Sequence, residues 1–268
     1  MKTGDEETGL QETVTESTSA DLPDDTIKEG DFVLLNYAVW DVDDNRLLDT
    51  NIEEIAKQSN RFREDIEYKP ELVVIGKGFL LKSVEEEIKG MKEGEEKTIL
   101  LPPEKAFGRK DPAKIKIVSA TELTRRGIKL AVNEEIEYGG RRAIIKRIGS
   151  GRVVLDFNHP LAGKTLKYYV KIVKKLNTKK EKVKALIERW FKTGENIGIK
   201  INRKVVITLP DTVLGYRNLG LIIRQIQYDI QRYLPEKFTA VEFRLTLPLE
   251  HKEKKKEEKA KEEKPQPK

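Results

Sequence analysis

The sequence predicts an α+β protein: a sheet crossed by one short helix, a small β-rich segment that interrupts it, and a C-terminal αββαβ unit. Three observations carry this. In residues 72–108, LVVIGKGFLLKSVEEEIKGMKEGEEKTILLPPEKAFG, the side chains Leu80, Leu81, Val84 and Ile88 repeat at helical spacing and leave Glu85, Glu86 and Lys89 on the wet face. Residues 134–157 contain three strand-like runs split by Gly139-Gly140 and Gly149-Ser150-Gly151, the pattern of a meander. Beyond residue 181, two helical repeats are separated and followed by alternating runs.

In chain order, residues 1–26 are polar and acidic, with eight acids against one lysine, and are expected to be a disordered tail. Phe32–Trp40 alternates as a strand partly buried on both sides; Asp41–Asn45 turns and Arg46–Asp49 returns. Residues 50–70 are irregular, with a short helix expected around Ile52–Gln58. Gly76-Lys77-Gly78 leads into the amphipathic helix, Gly90 stands where a left-handed cap ends it, and Lys97–Leu101 leads out as a strand stopped by Pro102-Pro103. Lys114–Val118 alternates, and Ser119 to Glu122 has capping-box spacing for one helical turn closed by Gly127. Tyr168–Val173 is the last strand before a lysine-rich joint at 174–180. Val183, Leu186, Ile187, Trp190 and Phe191 then mark a helix, and Ile197, Ile199 and Ile201 a strand. Lys204–Leu209 continues as a second strand, Leu219 to Leu234 as a long helix and Val241 to Leu247 as a closing strand, with the helices expected on one face of an antiparallel three-stranded sheet. The tail 250–268 is low-complexity charge.

Composition excludes several functional classes. With no cysteine, disulfides, zinc-thiolate sites and thiol catalysis are ruled out, and His159 and His251 alone do not build a histidine metal site. No apolar run reaches the length of a membrane span and the N-terminus lacks the apolar core of a signal peptide, so a cytoplasmic protein without membrane partners is expected. The body of the chain is basic, and residues 179–249 hold fourteen Lys and Arg against seven Asp and Glu. A lysine-rich solvated surface accounts for this; contact with ribosomal RNA is the weaker reading, since no base-reading signature accompanies the charge.

Three stretches in order, NYAVWDVDDNRLLDT, VVIGKGFLLKSVEEEIKGMKEGEEKTILLPPEKAFG and NHPLAGKTLKYYVKIVKKL, resemble an FKBP-type peptidyl-prolyl cis–trans isomerase. The likeness is to the SlyD-like branch, in which an insert-in-flap domain interrupts the catalytic one, and to its long archaeal form with a C-terminal extension. The resemblance implies a twisted antiparallel sheet wrapped around one short helix, formed by 27–110 and 158–177, with the insert at 111–157, a C-terminal α+β domain at 178–249 and a charged tail at 250–268. It also implies rotation about an X–Pro amide, whose barrier is about 18–20 kcal/mol. No bond breaks, so no cofactor, metal or nucleophile is needed; a dry cup that strips water from the amide and one or two hydrogen bonds suffice.

Carried over by position, the resemblance makes Tyr37, Asp49, Leu81, Phe107 and Tyr168 the catalytic set, with the Leu81 backbone N–H as donor to a substrate carbonyl. Leu48, Val73, Leu80 and Val84 would line the pocket, and Leu48, Val73 and Val84 are smaller than the side chains usual in macrolide-binding relatives. Taken singly, most of these residues read as core or turn. His159, in the Asn158–Gly163 stretch, reads as part of a joint returning the chain to the sheet. In the insert, Ile117, Leu130, Val132, Ile136, Tyr138 and Ile144 are expected to bind clients, because so small a domain cannot bury its whole apolar set. The partners expected are unfolded or nascent proline-containing polypeptides, with a homodimer through the C-terminal domain. The competing reading is a non-catalytic, ribosome-associated holdase in which the cup only binds.

Overall fold

The computed structural model describes residues 25–191 and 197–247. The expected acidic tail, except its last two residues, and the charged tail lie outside the described residues. The first sheet is built from β1 (Phe32–Asp41), β2 (Arg46–Thr50), β3 (Glu71–Val74) and β4 (Glu96–Leu101), with α1 (Glu53–Gln58) and α2 (Lys82–Ile88) between them. The insert follows as β5 (Ile115–Ser119), α3 (Ala120–Arg125), β6 (Glu135–Tyr138), β7 (Arg141–Gly149) and β8 (Arg152–Asp156). Strand β9 (Leu166–Leu176) returns to the first sheet. The C-terminal unit is α4 (Lys179–Glu188), β10 (Gly198–Ile201), β11 (Val205–Leu209), α5 (Leu219–Tyr233) and β12 (Val241–Leu245).

In the first sheet β1 is the hub. It pairs antiparallel with β2, β3 and β9, and β9 pairs with β4. Alternation along β1 and β3 feeds two cores at once. Val33, Leu35 and Val73 pack with Val84 and Ile88 of α2, while Phe32, Leu72 and Val74 pack with α4 and α5. Each such side chain contributes about 1.5–3 kcal/mol when fully buried, so the C-terminal unit is bound to the first sheet by a shared core. Among the described residues no helix is long and apolar enough to cross a membrane.

Three local expectations are corrected. Helix α2 begins at Lys82, so Leu80 and Leu81 lie ahead of it rather than in its first turn. The cause is Glu85, which is not on the wet face as expected but only 4% exposed: its carboxylate accepts from the backbone N–H groups of Gly76 (2.9 Å), Phe79 (2.9 Å) and Leu80 (3.2 Å) and ties the entry loop into a non-helical path. Ser119 forms no side-chain cap on α3; Glu122 instead accepts from the Tyr138 hydroxyl at 3.0 Å and pairs with Arg126. A capping box does form at Thr178 and Glu181, at the start of α4. Finally, β12 runs parallel to β11, not antiparallel, because α5 carries the chain back before it re-enters the sheet. Gly90 has φ +86 and occupies the left-handed position after α2, as its place in the sequence predicts.

The insert sheet has the order β5-β8-β7-β6. Its core is Leu123, Ile136, Ala143, Ile145, Val153 and Leu155. Its neck is narrow: the Asp111 N–H donates to Asn158 Oδ1 at 2.9 Å, and Asn158 Nδ2 donates to the Asp111 carbonyl at 3.0 Å.

Candidate active site

A cavity of about 530 Å³ opens where β1, β2, β3, the loop ahead of α2, the turn after β4 and β9 converge. The size suits one small ring with its flanking amides. Tyr37, Asp49, Leu81, Phe107 and Tyr168, drawn from five separate stretches, all line it, as do Leu48, Val73 and Leu80. Val84 does not; it is fully buried in the neighbouring core, so it supports the cup rather than touching its contents.

Asn51 sets the geometry of the polar wall. Its side chain is 5% exposed; Oδ1 accepts from the Tyr37 N–H at 2.7 Å and Nδ2 donates to the carbonyls of Leu35 and Lys69. Beside it, the Tyr37 hydroxyl donates to Asp49 Oδ2 at 3.1 Å, and Asp49 Oδ1 accepts from the Thr50 N–H. Burial first, then the charges of Glu71 and Asp49, push the Tyr37 hydroxyl well above the ordinary phenol range. Burial, with Asp49 second, also raises the Tyr168 hydroxyl. Both phenols therefore stay protonated donors at neutral pH. The Leu81 N–H makes no hydrogen bond among the described residues, and the Leu81 carbonyl is taken by Val84 and Glu85 at the start of α2.

The apolar wall is aromatic. Phe107 stacks on His159, ring centres 4.2 Å apart and planes within 2°. His159 Nδ1 accepts from the Leu161 N–H at 3.2 Å, and Leu161 also lines the cavity. The joint expected at 158–163 thus orients an aromatic of the cup.

Sequence reasoning missed Glu71, Phe79, Leu161 and Arg189 in the lining. Burial raises the pKa of Glu71, with Asp49 adding to the rise and Arg189 opposing it. Arg189 follows α4 in the C-terminal unit; its guanidinium lies 4.6 Å from the Phe79 ring centre, and Phe79 also meets Tyr233 edge-on at 5.3 Å. No sequence pattern announces this, because it depends on docking between units far apart in the chain.

In the insert, Ile117 is 62% and Val132 53% exposed. Leu130, Tyr138 and Ile144 are half-buried, and Ile136 sits in the insert core, against the expectation that it binds clients.

Three family models match the chain. One, described as FKBP-type peptidyl-prolyl cis-trans isomerase, covers residues 24–124; one, described as FKBP26, IF domain, covers 116–161; and one, described as FKBP26_C-terminal, covers 179–244. The chain is 37% identical over 146 residues to the short-type peptidyl-prolyl cis-trans isomerase of Methanocaldococcus jannaschii, a match spanning 54% of this chain and 92% of that protein. It is 31% identical over 107 residues to the probable FKBP-type 16 kDa peptidyl-prolyl cis-trans isomerase of Pseudomonas fluorescens, 39% of this chain and 71% of the relative. It is also 27% identical over 146 residues to the FKBP-type peptidyl-prolyl cis-trans isomerase SlyD of Helicobacter pylori, covering 52% of this chain and 70% of that one.

Proposed function

We propose, from the premise that the chain belongs to the FKBP-type peptidyl-prolyl cis-trans isomerases, that it rotates X–Pro bonds of unfolded or nascent polypeptides with the cup as catalyst and the insert as client-binding arm. The observation that carries the reading is the convergence of Tyr37, Asp49, Leu81, Phe107 and Tyr168 on one cavity. The prolyl ring enters between Phe107 and Tyr168. Displacing water from the amide weakens the charge-separated resonance form that keeps it planar, and so lowers the barrier to twisting. The free Leu81 N–H holds one substrate carbonyl. The Tyr37 hydroxyl, kept protonated chiefly by burial, has a single O–H, which turns from Asp49 to the substrate as the amide twists and so supplies a second donor.

A protease-free isomerisation assay on a proline tetrapeptide tests this. The protein should exceed the spontaneous rate, and Tyr168→Ala should lower kcat/KM by about tenfold or more. A wild-type rate equal to the spontaneous one would leave only the holdase reading, which the exposed Ile117 and Val132 favour on their own.

The wider partner reading has two parts. Leu221, Tyr228 and Leu247 are exposed on the C-terminal unit and supply the apolar surface for a homodimer, which a concentration-dependent mass measurement would reveal. Ribosome contact through the basic residues of 179–249 predicts binding that weakens steeply with salt.

A further inference from the structure

We infer that the cleft between the 67–72 segment and α4 is a second substrate subsite, continuous with the cup, that takes the polypeptide flanking the substrate proline. The inference rests on the cup being the prolyl site. Its ground is continuity: a groove of about 670 Å³ runs between Glu67–Leu72 and the Lys184–Arg189 side of α4, and Glu71, Leu72 and Arg189 line both it and the cup. A chain leaving the cup past Glu71 and Arg189 enters this groove directly. An X–Pro segment in a protein client never ends at the ring, so one of its flanks must leave the cup by some path, and this groove opens from the cup wall.

The chemistry fits an extended main chain of mixed sequence. The charged lining is balanced: Glu67, Glu71 and Glu188 face Lys69, Lys184 and Arg189. Two of these charges are neutralised locally, Lys69 by Glu67 at 2.8 Å and Lys184 by Glu188 at 3.5 Å. Arg189 is different. Its guanidinium lies 4.6 Å from the Phe79 ring centre and 5.7 Å from that of Trp190, and its ion pair with the buried Asp229 is long, at 4.0 Å. It makes no hydrogen bond among the described residues, so its planar fork of donors is available to carbonyls of a passing chain at the point where the two cavities meet. The C-terminal unit thereby supplies a substrate contact, which gives it a part in recognition beyond packing.

The test uses the full chain and two substrates, a proline tetrapeptide that fills only the cup and a dodecapeptide with one central proline. Affinity of the labelled dodecapeptide is read by fluorescence anisotropy, and KM for both substrates by the isomerisation assay. Wild type should favour the dodecapeptide by about tenfold. Lys184→Trp, an exposed position that cannot disturb a core, should remove most of that preference, and Arg189→Ala should weaken dodecapeptide binding about threefold or more. If both variants bind the dodecapeptide as wild type does, with unchanged thermal melts, the subsite is wrong. If wild type fails to turn over the tetrapeptide, the isomerase reading falls, while the effect of Lys184→Trp on dodecapeptide binding still decides the cleft.

Discussion

The sheet around the cup buries Val33, Leu35, Val170 and Ile172, and gathers Tyr37, Phe107 and Tyr168 about one cavity. The insert sheet closes a core of six side chains and leaves Ile115, Ile117, Val132 and Ile148 in solvent. Both are antiparallel sheets with a short helix, and size separates them. A domain of about fifty residues cannot cover its own apolar set, whereas the first sheet is covered on one side by α2 and on the other by the C-terminal unit. Enclosed apolar surface suits a reaction accelerated by desolvation, and open apolar surface suits capture of unfolded chain. We therefore propose that catalysis falls to the first sheet and capture to the insert, two parts that meet at the Asp111–Asn158 neck.

The largest expected effect falls on the cup. Glu85→Ala leaves three backbone donors of the entry loop unpaired, and should cost about 3–5 kcal/mol of unfolding free energy in a denaturant titration. A loss near zero would mean the loop holds itself. Next, Ile117→Ser with Val132→Ser should reduce catalysis of proline-limited refolding by about tenfold relative to tetrapeptide turnover; an unchanged ratio would erase the division of labour. Third, Tyr37→Phe removes a donor but no bulk, so kcat/KM on the tetrapeptide should fall about fivefold with little change in melting temperature.

The smallest effect concerns Glu71, whose folded pKa is raised by burial. A carboxyl raised in the fold loses stability as pH climbs from its ordinary value through the folded one, since ionisation is then easier in the unfolded chain. Glu71→Gln should therefore stabilise at neutral pH by under about 1 kcal/mol, discounted for partial exposure, and the gain should vanish in acid below the ordinary carboxylate range. A gain that persists there has another source.

The helix, most strands and the lining residues brought by the resemblance were legible because each depends on local spacing or on a short quoted stretch. Leu80, Leu81, Val84 and Ile88 show this: their spacing announces a helix, although Glu85 then draws Leu80 and Leu81 out of it. What was not legible depends on contacts across long sequence separations. Arg189 and Phe79 meet only because α4 and α5 dock on β1 and β3, and no window around residue 189 contains that information. The direction of β12 likewise follows from the path of α5, not from the alternation of Val241–Leu245. At Ser119 the capping-box glutamate, Glu122, is taken by Tyr138 and Arg126 instead of the helix end, whereas Glu181 gives one carboxylate oxygen to Lys174 and the other to Thr178, and Lys174 first, then Thr178, hold it down to about 2.

One measurement bears most directly on the division between cup and insert. Residues 112–157 are replaced by a short loop, which the paired hydrogen bonds between Asp111 and Asn158 show to be spannable. Both forms are then assayed without protease on the tetrapeptide and on a protein whose refolding is proline-limited. The loop form should keep tetrapeptide turnover near the wild-type value and lose refolding catalysis by about a hundredfold. A folded loop form that is equally active on the protein substrate, or that loses both activities together, contradicts that division.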